Sequence, residues 1–280
     1  MANLQAFQSP EHQPFLWRQG EDAVLLVHGF PGTPAEMRPA GEALVRHGWT
    51  AQGLLLPGFG AEIESLERHE LRDWVGAVRA AALSLRQQHR RVVLLGNSMG
   101  AALCLQVAAA TPVDAVVLVA PYWRSTDRRF DVVFPVMRLF WRRITPFRKA
   151  DFSSPEFQRS IRNVLPEADL DDPETQQAVR ELSIATRTLA AVRQAGRLGY
   201  ASAPHVRQPA LVLQGSDDPV ATPELSRQLA QRLPGLRGYV QVRGDHDLIR
   251  SAGSPVISRL LHTFLAQALD ATPPAHTHDE

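Results

Sequence analysis

Gly96-Asn97-Ser98-Met99-Gly100 sets one hydroxyl between two glycines, after the apolar run Arg91–Leu95 and before a second apolar stretch, Ala101–Leu105. This context predicts a strand that turns sharply into a helix. Such a turn lifts the Ser98 hydroxyl clear of the sheet edge, where a base can reach it. Glycines 96 and 100 carry no Cβ, so strand and helix can approach closely and the turn can take strained dihedrals. The N–H of Met99, at the helix start, would point at the oxygen of a carbonyl attacked by Ser98.

A serine hydroxyl is a weak nucleophile at neutral pH and needs a base. The run Ala210–Leu213 is followed by Gln214-Gly215-Ser216-Asp217-Asp218-Pro219-Val220, and the run Gly238–Val242 by Arg243-Gly244-Asp245-His246-Asp247. Serine, acid and histidine thus come in that chain order. Each ends a strand-like run, at the edge where ligands bind in open α/β sheets. This position sets His246 apart from the other histidines. Asp218 is the expected orienting acid, and Asp-Asp-Pro also suits a turn, so Asp218 can do both. Asp245 and Asp247 rank below it, because the neighbours of His246 in an extended loop point away from it. The first core strand ends in His28-Gly29-Phe30-Pro31-Gly32-Thr33-Pro34. A glycine-rich loop there is expected to supply the second oxyanion N–H, from Phe30. His28 is expected to pack and hydrogen-bond that loop rather than act as a base.

The elements that must hold these groups alternate along the chain. Strands are predicted at 15–18, 23–27, 51–56, 91–95, 115–119, 210–213 and 238–242. Helices are predicted at 35–47, 71–88, 99–110, 223–232 and 255–269. Several strands are continuous apolar runs, as in a parallel sheet buried on both faces. The expected fold is α/β, a mostly parallel sheet flanked by helices. The alternation breaks between Pro121 and His205, where prolines and short helical stretches replace buried strands. That stretch is too long for a loop and reads as an inserted helical cap. The expected organisation is a core of 1–120 with 206–270, a cap of 121–205 and a disordered tail of 271–280. His276 and His278 fall in that tail and do not read as a metal site.

With 44% hydrophobic and 21% charged residues, the 280-residue chain can bury a sizeable core. A formal net charge of +1 gives no global field for nucleic acid. Cys104 is the single cysteine, so no internal disulfide forms, and its apolar helix marks it as a small buried residue. Met1–Pro14 lacks the pattern of a signal peptide, and no apolar run reaches membrane-spanning length. A cytoplasmic enzyme without a stable membrane anchor is expected.

These residues together resemble the α/β-hydrolases, and within them the bacterial carboxylesterases and monoacylglycerol lipases. The resemblance spans about Val24 to Phe264. It is carried by Leu26-Val27-His28-Gly29-Phe30-Pro31-Gly32-Thr33-Pro34 with Met37-Arg38-Pro39, and by Leu55-Leu56-Pro57-Gly58-Phe59-Gly60. Asp73-Trp74-Val75, the 96–100 turn, Gly215-Ser216-Asp217-Asp218 and His246 complete it. It implies Ser98 as nucleophile, Asp218 as acid, His246 as base, and the Phe30 and Met99 amides as oxyanion donors. It also implies ester hydrolysis of short or medium acyl esters or monoacylglycerols, with no metal or organic cofactor. The same triad could serve a thioester, lactone, C–C bond or perhydrolase substrate, and a non-catalytic binding relative is the reading from another class. The chain departs from the family at Phe59, where a histidine, generally structural, is usual.

Within the cap, positions 133, 136, 137 and 140 share one helical face, with Arg138, Arg142, Arg143 and Arg148 around it. One reading packs this face onto the core. The other has Phe134, Met137 and Trp141 line the acyl pocket while the arginines face lipid-like substrate surfaces.

Overall fold

Runs of valine, leucine and alanine between turn residues give this chain its strands. The computed structural model describes residues 7–154, 157, 158, 161 and 169–270. Its first half contains β1 (Phe15–Trp17), β2 (Asp22–Val27), α1 (Pro34–Arg46), β3 (Thr50–Leu54), α2 (Leu71–Gln88), β4 (Arg91–Asn97), α3 (Met99–Ala108) and β5 (Ala115–Val119). Then come α4 (Arg128–Phe140), β6 (Arg143–Ile144), α5 (Pro173–Glu181), β7 (Ile184–Ala185) and α6 (Thr186–Ser202). The chain closes with β8 (Ala210–Gly215), α7 (Pro223–Ala230), β9 (Leu236–Val242) and α8 (Pro255–Asp270). The predicted strands and helices are present with ends shifted by a few residues. A 3₁₀ stretch over Gly60–Arg68 has no counterpart in the prediction.

The main sheet runs β1-β3-β2-β4-β5-β8-β9. Every neighbour pairs in parallel except β1, which is antiparallel to β3. Side chains alternate between its faces, so each strand feeds two cores. Leu25, Val27 and Leu94 pack with Trp74 of α2 and Leu103 of α3. Val24, Leu26 and Val93 pack with Met37 of α1 and Leu261 of α8 on the opposite face. Val92 to Leu95 are fully buried, each worth about 1.5–3 kcal/mol of transfer free energy. That burial makes β4 a rigid base for the turn at Ser98.

Register decides where the loops leave the sheet. Val27 stands opposite Gly96, so the loop carrying Phe30 emerges beside Ser98. Gly215 stands opposite Val242, so the loops carrying Asp218 and His246 emerge side by side.

Between β5 and β8 no strand joins the main sheet among the described residues; β6 and β7 pair only with each other. Helix α6 lies against α3, and Gln106 of α3 donates a 3.1 Å hydrogen bond to the Ala195 carbonyl. On α4 the shared face does not pack onto the core. Val133, Val136 and Phe140 are 55%, 57% and 74% exposed, and Met137 is half-buried. The inward residue is Phe134, buried beneath the guanidinium of Arg193 from α6 at 4.7 Å. Helical period alone cannot tell which side of a helix faces protein, and this helix turns the neighbouring position inward.

Cys104 is buried in α3, and burial pushes its thiol pKa up. Among the described residues no helix is long and apolar enough to cross a membrane. Residues 271–280, with His276 and His278, lie outside the described residues.

Candidate active site

Ser98 follows β4, at the N-cap of α3, in a conformation that side chains rarely adopt, with φ 51° and ψ −115°. Main-chain bonds hold it there. Its N–H donates to the Val119 carbonyl at 2.9 Å, and its carbonyl accepts from Ala101 at 3.1 Å and Tyr122 at 3.3 Å. The flanking glycines are sterically required. A Cβ at Gly96 would stand 2.5 Å from the Ala101 nitrogen, and one at Gly100 2.2 Å from the Val27 carbonyl oxygen.

His246, in the loop after β9, reaches both partners. Its Nε2 lies 3.0 Å from Ser98 Oγ, and its Nδ1 2.8 Å from Asp218 Oδ2. A carboxylate acceptor at Nδ1 favours the tautomer with its proton there, leaving Nε2 as the acceptor for the serine. Asp218 is buried and fully engaged: Oδ1 accepts from the Val220 and Ala221 amides at 2.8 and 2.9 Å. Oδ2 also accepts from Gln214 Nε2 at 3.1 Å. Asp217 is exposed and accepts from Ser216 Oγ; Asp245 is exposed and accepts from the Asp247 amide. Neither joins the chain that ends at Ser98.

Burial lowers the His246 pKa. The hydrogen bond and charge of Asp218, with the charges of Asp247 and Glu36, outweigh burial and raise it above the ordinary 6.5. His28 is driven the other way, down to about 4, because it is fully buried. It stays neutral, donates from Nδ1 to the Gly29 carbonyl at 2.8 Å and accepts from the Leu56 amide at 3.1 Å. It therefore braces the loop after β2, the part the sequence assigns it.

Met99 opens α3, so its N–H has no partner within the helix. Phe30 follows Gly29, whose backbone faces the nucleophile turn; a Cβ there would lie 3.1 Å from Ser98 Cβ. Phe59 is buried edge-on against His28, Phe30 and Trp74, with centroid distances of 5.0, 6.2 and 5.6 Å. The aromatic ring thus ties the Phe30 loop to α2. Trp141 contacts Phe140 and, through its carbonyl, Thr186; these partners belong to the segment 121–205 and not to the triad. A groove of about 1250 Å³ runs between the Gly60–Arg68 stretch, α4 and α6, and neither Ser98 nor His246 lines it.

The motif reading passes over Gln214 and Glu36. Gln214 extends an apolar strand by one fully buried polar residue, which is the signal that it holds a partner. Among the described residues no group of three or more His, Cys, Asp or Glu is placed to hold a metal ion.

A family model described as alpha/beta hydrolase fold matches residues 22–249. A thermostable monoacylglycerol lipase from Bacillus sp. (strain H-257) is 40% identical over 100 residues, 36% of this chain and 40% of that protein. A carboxylesterase from Bacillus subtilis (strain 168) is 29% identical over 106 residues, 38% of this chain and 43% of that protein. The matched stretch thus spans less than half the length of either relative. Among solved structures, a metagenome-derived lipolytic enzyme of the LipS and LipT pair superposes with TM-score 0.72 at 18% identity, covering 92% of this chain and 98% of that one. The Paleococcus ferrophilus monoacylglycerol lipase superposes with TM-score 0.68 at 17% identity, covering 91% and 98%. At such identities the likeness speaks for the fold.

Proposed function

The chain belongs to the alpha/beta hydrolase fold family, and from that premise we propose that it is a serine hydrolase cleaving carboxylic esters through an acyl-enzyme. The observation that carries the reading is the hydrogen-bonded series Ser98–His246–Asp218, at 3.0 and 2.8 Å. The substrate class proposed is short or medium acyl esters or monoacylglycerols. It rests on the two partly matching relatives named for those activities.

Ser98 Oγ attacks the ester carbonyl as His246 Nε2 takes its proton. The oxyanion is held by the amides of Met99 and Phe30, each such donor being worth about 3–4 kcal/mol of barrier. Asp218 keeps the imidazole tautomer and stabilises its cation. The alcohol leaves with the proton from His246, and the acyl group stays on Ser98. Water then attacks that ester, His246 takes its proton, and the acid leaves as Ser98 regains its hydrogen. A p-nitrophenyl ester panel from about C2 to C16, followed by monoacylglycerols, tests the class; turnover in the panel is the expected result. No turnover of any ester, with Ser98 inert to a fluorophosphonate, favours the binding relative.

Hydrolysis is expected to rise with pH, because only neutral His246 can accept the serine proton. Its pKa lies above 6.5, so the kcat/KM midpoint should lie above that value. A rate flat between about pH 5 and 9, with chemistry limiting, contradicts a histidine base.

Residues 121–205 we read as a cap on the core of 1–120 and 206–270. Support comes from β5 and β8, which pair directly although this whole segment lies between them. Phe134, Met137 and Trp141 are proposed to meet the acyl chain. The double variant Met137→Ala/Trp141→Ala should change the ratio of long- to short-chain kcat/KM by roughly tenfold, with fluorophosphonate reactivity of Ser98 kept. An unchanged chain-length profile removes these residues from the pocket.

A further inference from the structure

Glu36 is the buried carboxylate beside the triad that the mechanism above leaves unused. It is 8% exposed, in the first turn of α1, behind the N-cap Thr33. The spacing Thr33-x-x-Glu36 is that of a capping box, in which the glutamate would turn back to its own helix. Here it turns to the active site. Its Oε1 accepts the Gly29 amide at 2.7 Å and Asn97 Nδ2 at 3.0 Å. Gly29 precedes Phe30, and Asn97 precedes Ser98 and Met99.

We propose that Glu36 is a positioning residue: one carboxylate oxygen ties the loop that presents the Phe30 amide to the turn that presents Ser98 and the Met99 amide. The inference rests on the serine-hydrolase reading and extends it.

Three observations support it. A buried carboxylate is expensive unless hydrogen-bonded, so this one is held where its two donors are. Among the described residues those partners are N–H groups of the two oxyanion loops, with no cation pairing it. The chain also leaves room for it: a Cβ at Gly32 would stand 2.1 Å from Glu36 Oε2, so a side chain there would push this carboxylate out of its place.

Glu36→Gln and Glu36→Ala separate the tie from the charge. Glutamine keeps an oxygen for both donors and removes the charge; alanine removes both. Misplacing a catalytic group by about 1 Å can lower rates by about a hundredfold. Glu36→Ala should therefore lose roughly tenfold or more in kcat, with a smaller change in KM, and label more slowly with a fluorophosphonate. Glu36→Gln should recover most of that loss. If Glu36→Ala does not fold, Asn97→Ala tests the tie from the other side, with slower Ser98 labelling expected. Equal kcat for the alanine and glutamine variants, or full labelling speed in Asn97→Ala, overturns the tie. The parent chain is assayed alongside: a parent that neither hydrolyses esters nor labels at Ser98 counts against the serine-hydrolase reading, whereas an active parent with indifferent variants counts against this inference alone.

Discussion

Ser98→Ala is expected to abolish ester hydrolysis, with a loss on the order of 10⁵–10⁶ in kcat, because the nucleophile acts as a unit with its base and nothing else replaces it. Folding should survive. The bonds that hold the turn come from the main chain of Ser98, and alanine keeps them. Alanine at φ 51° carries the same strain as serine. What disappears is one hydroxyl contact with His246, worth about 1 kcal/mol, which moves the melting temperature by roughly 2–4 °C. Hydrolysis and thermal melting of the purified variant check both halves. Retained turnover above about one percent, with an unchanged melt, places the nucleophile elsewhere.

Asp218→Asn should lower kcat by about 10⁴, since an asparagine amide facing Nδ1 holds the imidazole in the tautomer that cannot accept the serine proton. The effect is sharpened by the surroundings. The Val220 and Ala221 amides and the Gln214 side chain all donate to the Asp218 carboxylate, so an asparagine NH₂ must face at least one other donor. Asp217→Asn, one residue away, changes an exposed side chain bonded to Ser216 and should leave kcat within about threefold. Kinetics of the two variants side by side settle the assignment. A larger loss for Asp217→Asn would put the acid one residue earlier.

Much of this arrangement is legible in the sequence because its parts obey local rules. Glycines at 96 and 100 mark a close crossing of strand and helix, and the crossing is there. Apolar runs bounded by turn residues mark strands of a sheet covered on both faces, and the order Ser98, Asp218, His246 follows from which strand ends meet. The less legible parts depend on three-dimensional partners. Glu36 belongs to no catalytic motif in the sequence, and its role depends on β2 and β4 bringing Gly29 and Asn97 to it. The apolar face of α4 reads as core by its period, yet tertiary packing turns Phe134 inward and leaves Val133, Val136 and Phe140 in solvent. Phe59 shows the same limit: only the fold reveals that its ring sits among His28, Phe30 and Trp74.

An activated Ser98 should react covalently with a small fluorophosphonate, and this labelling assumes no substrate. Intact-mass analysis with peptide mapping of the parent chain should find one adduct, on Ser98. Labelling should vanish in Ser98→Ala and slow by orders of magnitude in His246→Ala, which lacks the base 3.0 Å away. An adduct on a different serine, or ester turnover by a chain whose Ser98 stays unmodified by the probe, places the nucleophile elsewhere.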